Sequence, residues 1–116
     1  MSFTWKVRLA DQAELDFLDI TTWTAENFGA RQADEYSETV MLAIEALTDG
    51  PEILGAKVRE DIGLGICTLH VARQGRKGRH FVIFRKAEER TIDVLRLLHD
   101  SMDLARHISD GNDHTH

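Results

Sequence analysis

Between Val94 and His107 the chain reads VLRLLHDSMDLARH, and just past Leu98 it places His99, Asp100, Met102, Asp103, Arg106 and His107 close together. Imidazole, carboxylate and guanidinium groups at this density can exchange protons, hold an anion or grip a macromolecule. The plain reading is a helix cap and a solvated terminal helix. The functional reading is a recognition edge that projects from a sheet beside Arg85 and Arg96. A second concentration, Arg73, Arg76, Lys77, Arg79, Arg85 and Lys86, is either a local cationic patch or a hairpin tip whose cations guard a strand edge.

Other motifs carry less chemistry. Gly63-Leu64-Gly65 lacks the third glycine of a dinucleotide loop, because position 68 is Thr68 and no helix follows. Gly75-Arg76-Lys77-Gly78 leads into a strand, whereas a phosphate loop opens a helix, so a hairpin turn is expected there. His107, His114 and His116 suit a solvated tail better than a metal site, and no metal or cofactor is expected. Cys67 needs a nearby base to act as a nucleophile, yet His70 lies three residues along a strand and faces the other way. A buried structural thiol is expected, and no catalytic residue is assigned. Trp5 and Tyr36 have places in the core pattern. Trp23 falls beside the stripe of its helix and is expected to rim an exposed apolar groove that marks a partner surface.

These side chains must be positioned by a small set of elements. Residues 3–9 alternate apolar and polar, with Phe3, Trp5, Val7 and Leu9 on one side of a strand. Asp11 and Glu14 have capping-box spacing at the start of a helix. Ala13, Phe17, Ile20, Thr24 and Phe28 form its apolar stripe, and Gly29 ends it. A second helix carries Ala33, Tyr36, Val40, Ile44 and Leu47 and stops at Gly50-Pro51. The short connection makes the two helices an antiparallel hairpin whose stripe must cover a sheet. Residues 51–65 have no sustained period and read as a loop. Residues 66–73, 79–87 and 91–98 read as three strands joined by tight turns, an antiparallel meander. Phe81-Val82-Ile83-Phe84 is apolar at both alternating positions, so the central strand should be covered on both faces. Asp103 can cap a short helix ending near Ile108, and 109–116 should be a flexible polar tail.

The expected fold class is α+β: an N-terminal strand, a two-helix hairpin, a three-stranded antiparallel meander completing a small sheet, and a short C-terminal helix. A chain of 116 residues holds one such domain, here 1–108. The longest apolar run is far below the roughly 20 residues of a membrane span. One cysteine excludes an intramolecular disulfide, and a soluble, cytoplasmic protein is expected. Net charge is −6, with ten acidic and three basic residues in the first fifty and seven acidic and ten basic in the next fifty. That balance argues against binding nucleic acid by bulk electrostatics, and no direct sequence-specific DNA binding is expected.

The chain resembles the ParE toxins of bacterial toxin–antitoxin modules, within the wider RelE/ParE superfamily, over about residues 4–108. The resemblance rests on Ala13, Asp16, Ile20 and Trp23, on Asn27-Phe28-Gly29, on the run Gly78 to Arg85, and most specifically on Val94 to Asp103, where a strand ends in leucine, histidine, two further residues, methionine and aspartate. It implies a RelE/ParE-like fold and a toxin that poisons DNA gyrase and blocks replication. It also implies a ParD-like antitoxin that neutralises the toxin, in an assembly expected to be a heterotetramer. Under this reading Trp23, Arg59, Arg79 and Arg85 are expected to meet the antitoxin, and Arg96, His99, Met102, Asp103 and Arg106 the target. The rival within the superfamily is a RelE-like ribosome-dependent ribonuclease using His99 with Arg79, Arg85 and Arg96. That rival is weakened because the single tyrosine, Tyr36, is on the second helix. A third alternative is a ParE-like binding protein without toxicity.

Overall fold

A computed structural model describes residues 4–112; Phe3 and residues 113–116, with His114 and His116, lie outside the described residues. Strand β1 is Lys6–Leu9, with Val7 and Leu9 half-buried and Lys6 and Arg8 exposed, as the alternation requires. Helix α1 spans Asp11–Phe28. The expected capping pair is not formed: Asp11 is already helical, and extended Ala10 precedes it without a side-chain cap bond. Asp11 and Glu14 instead sit in the first turn, where carboxylates favour the positive end of the helix dipole.

Ala13 and Thr24 are buried on α1 and Phe17 and Ile20 pack on the core. Phe28, expected to close the stripe, is 64% exposed, because α1 runs a full turn past Thr24, its last buried residue. Gly29 alone separates α1 from α2, Ala30–Ala46. Its φ of 96° and ψ of 164° are costly for any residue with a Cβ, and its N–H donates to Ala25 O at 2.9 Å. A 3₁₀ turn, Leu47–Asp49, carries the buried Leu47 and ends at Gly50.

Residues 51–65 are more than a loop. Lys57–Val58 form a two-residue strand, β2, paired antiparallel to β3, Cys67–His70. So short a strand carries no readable period. Strands β4, His80–Ala87, and β5, Thr91–His99, complete a five-stranded sheet of order β1-β5-β4-β3-β2. The expected meander is present as β3-β4-β5, and β1 joins β5 in parallel, with Val7 opposite Ile92. Strand β3 is shorter than expected, because the chain leaves the strand after His70.

Two apolar clusters cover the central strand. Val82 and Phe84 meet Ala13, Val40, Ala43, Ile44 and Leu47 beneath the helical hairpin. Ile83 points the other way and packs with Ile62, Ile66, Leu98 and Leu104. Both faces of Phe81-Val82-Ile83-Phe84 are therefore covered, the second by the 59–66 segment and by α3, Leu104–Asn112. A bulge lies where Ile83 pairs with Arg96 but Phe84 pairs with Val94, which leaves Leu95 as the extra residue of β5. The Asp103 carboxylate accepts from Arg106 N–H at 3.3 Å, the expected cap of α3, although the helix continues beyond Ile108 to Asn112.

Candidate functional site

Three neighbouring strands end at one side of the sheet, and each contributes a histidine there: His70 from β3, His80 from β4 and His99 from β5. His80 lies opposite His99 in the ladder, with the two rings 5.2 Å apart and edge to face. His70 stacks its edge on Phe81 at 4.9 Å. Helix α2 adds Tyr36, whose hydroxyl accepts from Arg79 N–H at 2.9 Å and can donate to His80 Nδ1 at 2.7 Å. Gly78 makes this approach possible, since an added Cβ would overlap Val71 Cγ2 and come within 3.2 Å of the Tyr36 ring.

Asp100 is the counter-charge of the cluster. His70 Nε2 donates to it at 3.0 Å and Arg79 Nε at 3.1 Å, while His99 Nδ1 lies 3.6 Å away. The His70 hydrogen bond, and after it the Arg79 guanidinium, hold the Asp100 carboxyl below the ordinary carboxylate range. Burial, reinforced by His99, pulls His80 down to about 4. Burial also raises the Tyr36 phenol. At neutral pH the His80–Tyr36 pair is therefore uncharged and joins α2 to the sheet.

The predicted target residues fall into two groups. Past Leu98, Ser101, Met102, Asp103 and Arg106 are exposed, Met102 by 42%, and His99 stands partly exposed at the head of this stretch. This margin, which follows the end of β5, is solvent-exposed at these four side chains. Arg96 does not share this exposure: its Nε reaches Asp16 Oδ2 at 2.8 Å and its Nη2 reaches Oδ1 at 3.2 Å, across to the buried carboxylate of α1. Asp16 also accepts from Leu97 N–H at 2.9 Å and from Gln12 Nε2 at 3.3 Å. Arg96 thus fixes α1 to β5.

The four predicted antitoxin residues do not form one patch: Arg59 and Arg85 flank β3 in one cross-strand row, because Arg59 N–H donates to Ile66 O and the β3–β4 register places Arg85 opposite residue 66, whereas Trp23 stands on α1. Trp23 is 57% exposed on α1, in edge contact with Phe28 at 5.7 Å, and stands one turn from Asp19 and Glu26 on a helix that contains no lysine or arginine. Arg85 lies on β4 two residues from Ile83, on the sheet face opposite the helical hairpin. Arg59 forms a double contact with Asp61 at 2.9 and 2.8 Å. Arg79 is 68% exposed and already holds Asp100. Of the cationic hairpin, Arg76 is tied to Glu38 and to Thr39 Oγ1, both at 2.9 Å. Beside it a hollow of about 280 Å³ is lined by Leu42, Ala43, Val71, Arg73, Gln74 and Arg76, with Thr39.

Cys67 is buried in the main core, away from His70, and burial raises its thiol. No cluster of metal-ligating side chains is found among the described residues. None of the described helices is long and apolar enough to cross a membrane. Sequence reasoning missed His70, His80 and the Asp16–Arg96 pair. Asp16 left one sign, a carboxylate three residues after Ala13 on the buried side of α1. The histidines left another, since each stands at a strand end that hairpin register brings alongside the next.

Comparison with known proteins agrees with this architecture. The family model for the ParE toxin of the type II toxin–antitoxin system parDE matches residues 7–104. A Toxin ParE1 from Mycobacterium tuberculosis is 31% identical over 108 residues, covering 93% of this chain and 100% of the relative. A Toxin ParE1 from Caulobacter vibrioides is 27% identical over 101 residues, covering 87% of this chain and 95% of the relative. Among solved structures, a chain of the chromosomal ParDE system of P. aeruginosa superposes with a TM-score of 0.66 at 17% identity, covering 84% of this chain and 98% of the other. A chain of the RelBE2 toxin–antitoxin complex of Mycobacterium tuberculosis gives 0.55 at 18% identity, covering 83% and 98%. At these identities the two structures speak for the fold alone.

Proposed function

This chain belongs to the ParE toxin family of type II toxin–antitoxin systems, and on that premise we propose that it acts by binding DNA gyrase, trapping the cleaved DNA intermediate and blocking replication, until a ParD-like antitoxin captures it. The observation that carries this reading is the match over residues 7–104, which spans the helical hairpin, nearly the whole sheet and the margin after Leu98 as far as Leu104. In the proposal His99, Met102, Asp103 and Arg106 meet the target, with Arg96 placing the margin through Asp16 rather than touching the partner. Of the proposed antitoxin residues, Trp23 with Phe28 forms one candidate contact on α1, Arg59 and Arg85 another on the face opposite the hairpin, and Arg79 a third at the sheet end beside Asp100. The toxin–antitoxin assembly is proposed as a heterotetramer in the cytoplasm.

The ribonuclease alternative needs a proton acceptor, a donor and a cation facing a phosphodiester. His80 is neutral and half-hidden against Tyr36, while His70 and His99 each use Nδ1 to accept a main-chain N–H. His80, kept neutral by burial and hydrogen-bonded to Tyr36, is poorly placed to donate a proton at neutral pH, which supports the non-enzymatic reading. The test is direct: purified protein is incubated with gyrase, ATP and supercoiled plasmid, and in parallel with programmed ribosomes. Linear plasmid that requires gyrase, with intact messenger RNA, is expected. Cleaved messenger RNA with intact plasmid would favour the ribonuclease.

A further inference from the structure

Two hollows adjoin one short segment of the β3–β4 connection. The first, of about 280 Å³, lies between this connection and α2, with Leu42, Ala43 and Val71 as its apolar lining. The second, of about 200 Å³, is lined by Leu54, Leu69 and Ala72, beside the segment that leads into β2. Arg73 and Gln74 line both, so the two hollows meet at these residues. Leu42 and Leu54 are among the large apolar side chains that stand exposed.

The junction is held in place by its own backbone. Arg73 N–H donates to Val71 O and Arg76 N–H to Arg73 O, each at 3.0 Å. Between them Gln74 and Gly75 take φ of 56° and 79°, the signs of a type I′ turn and an uncommon conformation for glutamine. Arg76 is tied to α2 through Glu38 and Thr39. Both hollows are therefore preformed, and filling them orders little on this side of a contact.

Charge decides the occupant. No aspartate or glutamate stands between Asp61 and Glu88, whereas the same stretch has six lysines and arginines. Of the four at the connection, Arg76 pairs with Glu38 and Arg79 with Asp100, which leaves Arg73 and Lys77 without an acidic partner among the described residues. Arg73 is half-buried where the hollows meet. Apolar seats on either side of an uncompensated guanidinium fit a segment that brings two apolar side chains and a carboxylate between them. Helix α1 repels such a segment, since all five of its charged residues are acidic. A second copy of this chain offers Leu15 and Leu18 on its own acidic α1, but that contact joins unlike surfaces and propagates rather than closing.

We propose that these two hollows, with Arg73 between them, seat the neutralising segment of the antitoxin, and that this segment is acidic: an apolar side chain enters each hollow and an aspartate or glutamate between them meets Arg73. The proposal rests on the antitoxin reading above and gives the partner a surface lined by none of Trp23, Arg59 or Arg85. Because Arg73 is half-buried, its ion pair is screened less than a surface pair, so the seat keeps its hold in moderate salt.

The test is a calorimetric titration of the toxin with the ParD-like antitoxin encoded beside its gene, using the unaltered chain and the variants Arg73→Glu, Leu42→Glu and Lys6→Glu, with folding verified by circular dichroism. Lys6 is exposed on β1, three strands from β3, and makes the same charge change as Arg73 away from the hollows. Arg73→Glu and Leu42→Glu should each weaken binding by about tenfold or more, and Lys6→Glu by less than about threefold. The Leu42 and Val71 methyl resonances of the unaltered toxin should shift when the antitoxin is added. Unchanged affinity in Arg73→Glu or Leu42→Glu, equal weakening by Lys6→Glu, or unshifted methyls would overturn the seat and leave the antitoxin reading intact. Failure of the unaltered toxin to bind would overturn both. Sedimentation of the toxin alone should show a monomer; an assembly that Leu42→Glu dissolves would give the hollows to a second copy and overturn the proposal.

Discussion

The carboxylate of Asp16 and the guanidinium of Arg96 join α1 to β5 through two hydrogen bonds of 2.8 and 3.2 Å, beside a third from Leu97 N–H at 2.9 Å. Asp16 is only 7% exposed. Deleting the carboxylate leaves a cation and a main-chain N–H without their partner in a largely dry site. Asp16→Ala should therefore lower unfolding stability by about 3 kcal/mol, a typical cost for breaking a buried pair from one side. Urea denaturation followed by circular dichroism reads this, and a loss below about 1 kcal/mol would show the pair to be dispensable.

Acid should destabilise the protein through His80. Its pKa is about 4 in the folded chain, mainly through burial, against an ordinary 6.5. Below about pH 6.5 the unfolded state binds a proton that the folded state refuses, so stability falls as pH drops toward 4 and is unaffected by this group above that window. Thermal unfolding midpoints measured across the range should fall more steeply for the unaltered protein than for His80→Gln. Parallel slopes would assign the acid sensitivity elsewhere.

Gly78 lets the β3–β4 hairpin pass beneath Tyr36. A methyl group there overlaps Val71 and crowds the Tyr36 ring, so Gly78→Ala should cost about 1–3 kcal/mol, the range of an overpacked core site. The Arg79 amide, which donates to the Tyr36 hydroxyl, should lose hydrogen-exchange protection in the same variant. A stable variant with unchanged exchange at Arg79 would mean that the hairpin yields without strain.

Trp23 presents the opposite case. With 57% of its surface exposed and, among the described residues, Phe28 alone as an aromatic neighbour, Trp23→Ala should change stability by no more than about 0.5 kcal/mol. If Trp23 anchors the antitoxin, the same variant should weaken capture of the toxin by about tenfold or more in a calorimetric titration, in keeping with an aromatic hot spot. The contact should also be only mildly sensitive to salt, because Trp23 and Phe28 offer exposed apolar surface and α1 carries no lysine or arginine to attract an acidic segment. Affinity that collapsed with added salt would point to the arginines instead.

The fold was legible wherever periodicity was long. The stripe from Ala13 to Ile20, the stripe from Ala33 to Leu47 and the doubly apolar Phe81–Phe84 each imply their covering layers. Short and polar features were less legible. Strand β2 is two residues long, and the cap of α1 failed because the helix begins at Asp11 rather than after it. Phe28 obeys the helical period yet is exposed, since periodicity gives the direction of a side chain and not how far the sheet beneath it extends. Arg96 illustrates the site-level counterpart. As a cation in the second half of β5 it suggests a projecting side chain, and only the facing Asp16 shows that it turns toward α1. The histidine cluster depends on three strand ends meeting, a register property that local sequence does not carry.

The most direct test of the account is gyrase-dependent cleavage of supercoiled plasmid by the unaltered protein and by the margin variant Met102→Glu/Arg106→Glu, with folding of both verified by circular dichroism. Linear DNA is expected with the unaltered protein and is lost with the folded variant. Equal cleavage by both proteins would contradict the margin as the docking surface, and no cleavage by the unaltered protein would contradict the gyrase reading itself.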